Sequence, residues 1–140
     1  MIVYDAENQI LGRLSSVIAK ELLKGESIFV INSEKAVISG NPVNIQQKYF
    51  NKIKRGSALH GPHFPKQPND ILRRTIRGML PWDRTRGRNA YRNLKVFVGI
   101  PEELKNKERK QVKEADASKL KTKYMYLGDL SIAAGGRKRW

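Results

Sequence analysis

The sequence predicts a small α/β domain on three grounds. A strand-like opening at residues 2–6, an amphipathic stretch through Leu23 and an unbroken apolar run at 28–31 stand in the order strand, helix, strand, which in a compact domain makes a right-handed crossover between parallel strands. A second round of the same alternation follows, strand-like at 36–39 and helical from Pro42. Finally, 140 residues with 39% hydrophobic content suffice to bury one core.

Each element has a local cause. Asn8 is placed to cap the first helix, and Leu11, Leu14, Val17, Ile18, Leu22 and Leu23 keep to one side of it. Gly25 supplies the left-handed residue past its end. The run Ile28, Phe29, Val30, Ile31 reads as a strand covered on both faces. Gly40 leads to Asn41-Pro42, a cap followed by a proline at the first helical position. Ile45, Tyr49, Phe50 and Ile53 then recur at helical spacing, with Lys48, Lys52, Lys54 and Arg55 outside the stripe. Residues 56–68 hold two glycines, three prolines and both histidines, so they are expected to form a loop without regular structure. Loops of that length in small domains are usually functional or mobile.

The segment 69–99 carries two patterns at once. Ile71, Leu72, Thr75, Ile76, Met79 and Leu80 fill one half of a helical wheel, and Arg73, Arg74 and Arg77 form a cationic edge. Pro81 ends the helix, since proline cannot donate to the hydrogen-bond ladder. After Trp82-Asp83, the residues Arg84, Arg88 and Arg92 recur every four positions along a second short helix, with Ala90, Tyr91 and Leu94 toward the body. A strand over 95–98 closes the segment at Gly99. From Arg73 to Lys95 there are eight cations (Arg73, Arg74, Arg77, Arg84, Arg86, Arg88, Arg92, Lys95) against one anion, Asp83. A solvated face normally mixes signs, and arginine forks onto phosphates and stacks on bases, so this excess points to nucleic acid.

The whole chain agrees. Its formal charge is +15 and its pI about 10.3, which makes a polyanion the first partner to consider. No stretch approaches the roughly 20 apolar residues that span a bilayer. Without cysteine there is no disulfide, thiolate nucleophile or cysteine-ligated metal, and an opening without a charged leader predicts the cytoplasm. Beyond Gly99 the character changes. Residues 101–123 hold eight cations and few apolar side chains, an expected arm across a partner's surface. Tyr124, Tyr126, Leu127, Leu130 and Ile132 are expected to form one docking element, and Gly135-Gly136 to release the basic end Arg137, Lys138, Arg139. The division is therefore a core over 1–100 and a basic C-terminal extension over 101–140.

Other chemistries find little support. His60 and His63 form an H-x-x-H, but Gly61 and Pro62 lie between them and no cysteine or nearby carboxylate completes a metal set. They are expected to stack on a base or bond a phosphate, with a plain solvated loop as the alternative. No G-x-G-x-x-G or G-x-x-x-x-G-K-[ST] occurs, which argues against a nucleotide-fuelled enzyme. Asp5, Glu7 and Glu34 lie near strand ends, where an α/β active site would seek carboxylates, so an RNA-modifying enzyme is the second reading. A DNA-binding regulator is the third, without helix-turn-helix or zinc-finger spacing to support it.

Several ordered motifs together carry a resemblance. D-A-x-x-x-x-L-G-R-L-[SA] from Asp5 to Ser15, INSEKAVISGN at 31–41, R-G-M-L-P from Arg77 to Pro81, R-G-R-x-A from Arg86 to Ala90 and L-K-V-F-x-G from Leu94 to Gly99 are similar to the large-subunit ribosomal protein L-thirteen family. The H-G-P-H-F loop from His60, the G-I-P at 99–101 and the tail at 123–140 resemble its archaeal and eukaryotic branch. The resemblance implies a three-layer α/β/α core around a mainly parallel four-stranded sheet. It also implies binding to large-subunit ribosomal RNA beside neighbouring large-subunit proteins, with no enzymatic activity, obligatory cofactor, membrane or small-molecule substrate. On the matching positions, Arg77, Gly78, Arg86, Gly87, Arg88 and Lys95 inherit an RNA-facing role, the glycines by allowing close backbone approach, while Met79, Leu80 and Pro81 shape the fold. Charge and loop placement add Lys54, Arg55, His60, His63, Arg73, Arg84, Arg92, Arg137, Lys138 and Arg139 to the expected RNA-binding residues.

Overall fold

The apolar run at 28–31 becomes the centre of the sheet. In the computed structural model, which describes residues 1–57, 59–61 and 63–140, strand β2 (Ile28–Ile31) lies between β1 (Ile2–Asp5) and β4 (Leu94–Val96), parallel to both. Helix α1 (Leu11–Leu23) makes the β1 to β2 crossover, and Gly25 ends it at φ 93°. Helix α2 (Pro42–Lys54) starts as expected, its Val43 N–H donating to the Asn41 side chain at 3.0 Å. Helices α3 (Pro68–Met79) and α4 (Thr85–Arg92) flank the Pro81 turn. Loop residues 58 and 62 lie outside the described residues. The rest of 56–67 carries no helix, only a two-way backbone pairing of Ser57 with Gly61.

The sheet's two faces are covered differently. Tyr4, Ile28, Val30, Leu94 and Val96 join one apolar cluster with the buried apolar side chains of all five helices, including Leu14 and Ile18 of α1 and Ile71, Leu72 and Ile76 of α3. Val3 and Ile31 pack on the opposite face against Leu104, with Phe29, Phe97 and Ile100 alongside. Helices therefore lie on one face and a loop with a single 3-10 turn (Glu102–Leu104) on the other, instead of the helical layer on each side that the resemblance implied. Three strands spaced about 4.8 Å apart make a sheet narrow enough for one loop to cover.

The sheet also departs from four strands. Strand β3 (Val37–Ser39) pairs antiparallel with β5 (Tyr124–Tyr126) as a separate two-stranded unit. The free edge of β1 is met instead by Lys110, which donates to Val3 O at 2.8 Å and accepts from Asp5 N at 3.0 Å. That short pairing satisfies edge groups otherwise open to another chain.

The C-terminal residues are woven into the body more than their lysines suggested. Leu104, Ala115, Ala117, Met125, Leu127 and Leu130 are buried, and helix α5 (Leu127–Ala133) packs its Leu127 and Leu130 into the main core, while Tyr124, Tyr126 and Ile132 stay exposed. Gly136 N donates to Ser131 O at 2.8 Å, and the Gln67 amide, turned to match, both donates to and accepts from the Arg137 backbone at 3.2 Å. The terminal cluster is thereby held near the start of α3 and not released by Gly135-Gly136.

Two local expectations need correcting. Asn8 does not cap α1: it sits left-handed at φ 54°, and its side chain accepts from the Tyr126 hydroxyl at 3.1 Å. Met79 is 42% exposed, because α3 ends there and Leu80 takes the buried place.

Candidate nucleic-acid interface

Amphipathicity of α3 sets the site's geometry. Burying Ile71, Leu72 and Ile76 turns Arg73, Arg74 and Arg77 toward the rim, where each guanidinium meets an aromatic ring. Arg73 lies 4.6 Å from the Tyr91 centroid, Arg77 4.3 Å from Trp82 and Arg74 5.1 Å from Phe64. Trp82 and Tyr91 are themselves packed edge to face at 5.2 Å, which ties the Pro81 turn to α4. A guanidinium held over a ring gains about 0.5–1 kcal/mol at an exposed site. More important here, it loses rotamer freedom before any ligand arrives, so its N–H edges are presented at less entropic cost.

One carboxylate, Asp70, stands beside this surface, and it forms no ion pair with an arginine among the described residues. Among the described residues the ion pairs are those of the amino terminus with Glu26, Lys24 with Glu21 and Lys35 with Glu7, and none involves an arginine. The Arg73 Nε is buried without a hydrogen-bond partner among the described residues. His63, Phe64, Arg73, Arg74, Arg77 and Tyr91 line one shallow hollow of about 310 Å3, with Pro65 and a single acid, Asp70, at its wall. The arrangement can do one thing well: present planar donors to phosphate oxygens and unpaired bases.

The expected residues fall into groups. Arg84, just before α4, and Arg86, Arg88 and Arg92 on it are all exposed, but they are not equivalent. Arg88 folds back, its Nε donating to Trp82 O at 3.0 Å and its Nη2 to Asp83 O at 3.1 Å, so it braces the turn. Lys95 is exposed on β4. Lys54 and Arg55, at the end of α2, and His60 in the loop are exposed outside the hollow, whereas His63 belongs to it. The Arg137 backbone pairs with Gln67, which precedes Arg77 by ten residues or about 15 Å of helix axis, and Lys138 and Arg139 follow it, exposed.

The two signature glycines differ. A Cβ on Gly87 would stand 2.1 Å from Pro81 O and 2.5 Å from Pro81 C, so glycine there lets α4 close onto the turn. A Cβ on Gly78 would meet nothing within 4 Å. Sequence reading placed Arg74 in the series but not in the site, and passed over Phe64, its ring partner across the loop. The only available signal was an aromatic beside the basic loop.

The carboxylates weighed for catalysis have structural partners, Glu7 lying 3.9 Å from the Lys35 ammonium. Asp5 Oδ1 accepts from Glu7 N and Asn32 Nδ2, each at 3.0 Å, and Glu34 Oε2 accepts from Gly99 N at 2.9 Å. No cluster of three or more His, Asp or Glu among the described residues is placed to hold a metal. No described helix is long and apolar enough to cross a membrane.

The chain resembles known proteins over nearly its whole length. Residues 1–103 match the model of the family described as Ribosomal protein L13. The chain is 51% identical over 137 residues to "Large ribosomal subunit protein uL13" of Archaeoglobus fulgidus, covering 96% of this chain and 88% of that protein. It is 50% identical to the protein of the same name from Methanosarcina barkeri, covering 98% of this chain and 99% of the other. With that of Sulfolobus acidocaldarius it shares 42% over 143 residues, covering 99% and 96%. These relatives are archaeal, on the side of the family toward which the H-G-P-H-F loop and the tail pointed.

Proposed function

The chain belongs to the ribosomal protein L13 family, and from that premise we propose how it works in the large ribosomal subunit. It is a structural, non-enzymatic constituent of that subunit, serving translation on cytoplasmic ribosomes in company with ribosomal RNA and other ribosomal proteins. Its contribution is to bring a preorganised cationic surface to a place where phosphates converge, so that their repulsion is offset and the RNA fold is held.

The observation that carries this reading is the tier of three guanidinium groups over Tyr91, Trp82 and Phe64, with one nearby carboxylate, Asp70, and no ion pair to any of them among the described residues. A like-charged cluster costs free energy in the isolated protein and recovers it only against a polyanion. Arg73, Arg77, Arg84, Arg86, Arg92 and Lys95 contact RNA with their side chains. Arg88 and Gly87 hold α4 in place, and Gly78 leaves room for close approach. Lys54, Arg55, His60, His63 and the cluster Arg137, Lys138, Arg139 contact flanking RNA. The eight cations of residues 101–123 are all exposed, and we assign this basic extension to RNA or neighbouring proteins while its apolar side chains anchor it to the body.

Sucrose-gradient fractionation of the full chain in cell extract tests the reading. The protein co-sediments with large subunits and leaves them at high salt. A protein that stays at the top of the gradient and turns over an RNA substrate would support the enzyme reading instead.

A further inference from the structure

On the flank of α3 away from Tyr91, the chain leaves a cleft of about 620 Å3 between the first turn of α1, β3, α2, the loop at Phe64 and α3. Its volume falls within the range of about 300–1,000 Å3 in which small-ligand sites lie. Four cations line it, Arg13, Lys48, Lys52 and Arg74, and no aspartate or glutamate does. Tyr49 and Phe64, edge to face at 5.7 Å, form its wall, and the Lys52 ammonium sits 5.0 and 5.3 Å from their centroids. Burial lowers the Lys52 pKa, and Lys48, Arg74 and Arg55 lower it further. The cleft therefore concentrates positive charge that no ion pair among the described residues balances, although Arg13 Nη1 donates to the Glu114 backbone oxygen at 3.1 Å.

A second observation is independent of charge. Gly12 and Gly78 lie within helices and both line this cleft. Glycine is the poorest helix former after proline, so a helical glycine calls for a reason. At the other two helical glycines the chain provides one: a Cβ would strike Pro81 O from Gly87 and crowd Glu34 O at 3.0 Å from Gly128. At Gly12 and Gly78 the Cβ position is open to 4 Å, and neither has the positive φ that favours glycine. No packing within the chain accounts for them. They leave bare backbone at two places in the lining of a cationic cleft, as a close-approaching ligand requires. No side chain caps α1, and its first turn, Leu11, Gly12 and Arg13, opens onto the same space without an acidic residue.

We propose that this cleft is a second RNA site, adjoining the arginine face and sharing Arg74 and Phe64 with it, which takes the sugar-phosphate backbone of a single unpaired strand along Gly12 and Gly78. The space admits one strand and not a duplex, and its donors are cations and bare backbone, so it recognises phosphate and not base sequence. The L-G-R-L motif and the lysines of α2, which the arginine face leaves unused, find their role here. The proposal rests on the reading of the chain as RNA-binding.

The test uses the full chain and a ten-nucleotide oligouridylate, read by backbone amide shifts, with inorganic phosphate as a parallel titration. The oligonucleotide shifts Gly12, Arg13 and Gly78, and these shifts persist when Arg84, Arg86 and Arg92 are changed to glutamate. Lys48→Glu with Lys52→Glu weakens binding roughly 25-fold at 0.1 M salt, from two lost phosphate contacts at about 0.7 each. Gly78→Ala raises Tm by about 3 °C while weakening binding at least fivefold. A residue kept for the fold would move stability and binding in the same direction. Inorganic phosphate saturating the same amides as tightly as the oligonucleotide overturns the RNA assignment, and Gly78→Ala that lowers Tm with binding intact overturns the argument from glycine. Shifts confined to α4 overturn the cleft and leave the arginine face standing, whereas loss of co-sedimentation by the unaltered protein would undo the ribosomal reading itself.

Discussion

Reversing Arg84, Arg86 and Arg92 to glutamate together is the sharpest perturbation of the arginine face. All three are exposed, none forms an ion pair, and none has a side-chain hydrogen bond among the described residues, so the fold loses nothing that it uses. Arg88 is left alone because it braces the turn through Trp82 O and Asp83 O. Each neutralised phosphate contributes about 0.7–0.9 to the slope of log K against log salt, so removing three lowers that slope by about 2.1–2.7. At 0.1 M salt the same contacts amount to roughly a hundredfold to five-hundredfold in affinity, or about 3–4 kcal/mol, and charge reversal adds repulsion. Binding to an in vitro transcribed large-subunit RNA, measured by filter retention from 0.05 to 0.5 M salt, reads both quantities, with circular dichroism as the folding control. An unchanged slope with normal affinity would refute the reasoning, because no other function is left for three unpaired guanidinium groups at one short helix.

Three further outcomes follow from the same geometry. Gly87→Ala places a methyl group 2.1 Å from a backbone oxygen that cannot rotate away, and overpacking of this kind costs about 1–3 kcal/mol; a Tm drop of several degrees together with weakened RNA binding is expected, and a neutral variant would contradict the tight closure of α4 on Pro81. Trp82→Ala removes the ring beneath Arg77 and the edge contact to Tyr91, so it lowers stability by only about 1 kcal/mol while RNA binding falls several-fold; equal binding by the variant in filter retention would show that the ring does not position the guanidinium. Lys52 has a folded pKa below its ordinary 10.5, chiefly through burial and then through Lys48, Arg74 and Arg55. The unfolded chain therefore binds more protons between the two values, and stability rises with pH across that window. Lys52→Gln is accordingly more stable than the natural chain at pH 7 in urea titrations, by a margin that shrinks toward pH 10; a margin that grows with pH would reverse the sign of the argument.

What could be read from the chain was what neighbouring residues decide. The α1 stripe, the left-handed Gly25, the Asn41-Pro42 start of α2 and the stop at Pro81 each depend on residues a few positions apart, and each stands as expected. Pairings across long separations were not legible. β3 and β5 are three residues each and meet across some ninety positions, and the Lys110 bridge to β1 is shorter still. Neither carries a periodicity long enough to register, and the four-stranded sheet with helices on both faces was expected from the family resemblance alone.

The site divides in the same way. The excess of arginine and the interleaved Trp82 and Tyr91 were visible in composition, whereas the retreat of Arg88 onto backbone carbonyls was not, because spacing shows which face a side chain starts from and not where it ends. Gly78 and Gly87 look alike in the signature, yet one faces open space and the other a carbonyl oxygen. Only the packing of the Pro81 turn separates them.

Arginine accessibility in the assembled particle tests the central claim most directly. Purified large subunits containing this chain are treated with an arginine-specific dicarbonyl reagent beside the free protein, and modification is counted residue by residue by mass spectrometry. Arg84, Arg86 and Arg92 should react readily in the free protein and be shielded in the subunit, with Arg73 and Arg77 following the same trend. Equal reaction in both states would mean that this surface faces solvent in the ribosome and that the RNA is held elsewhere.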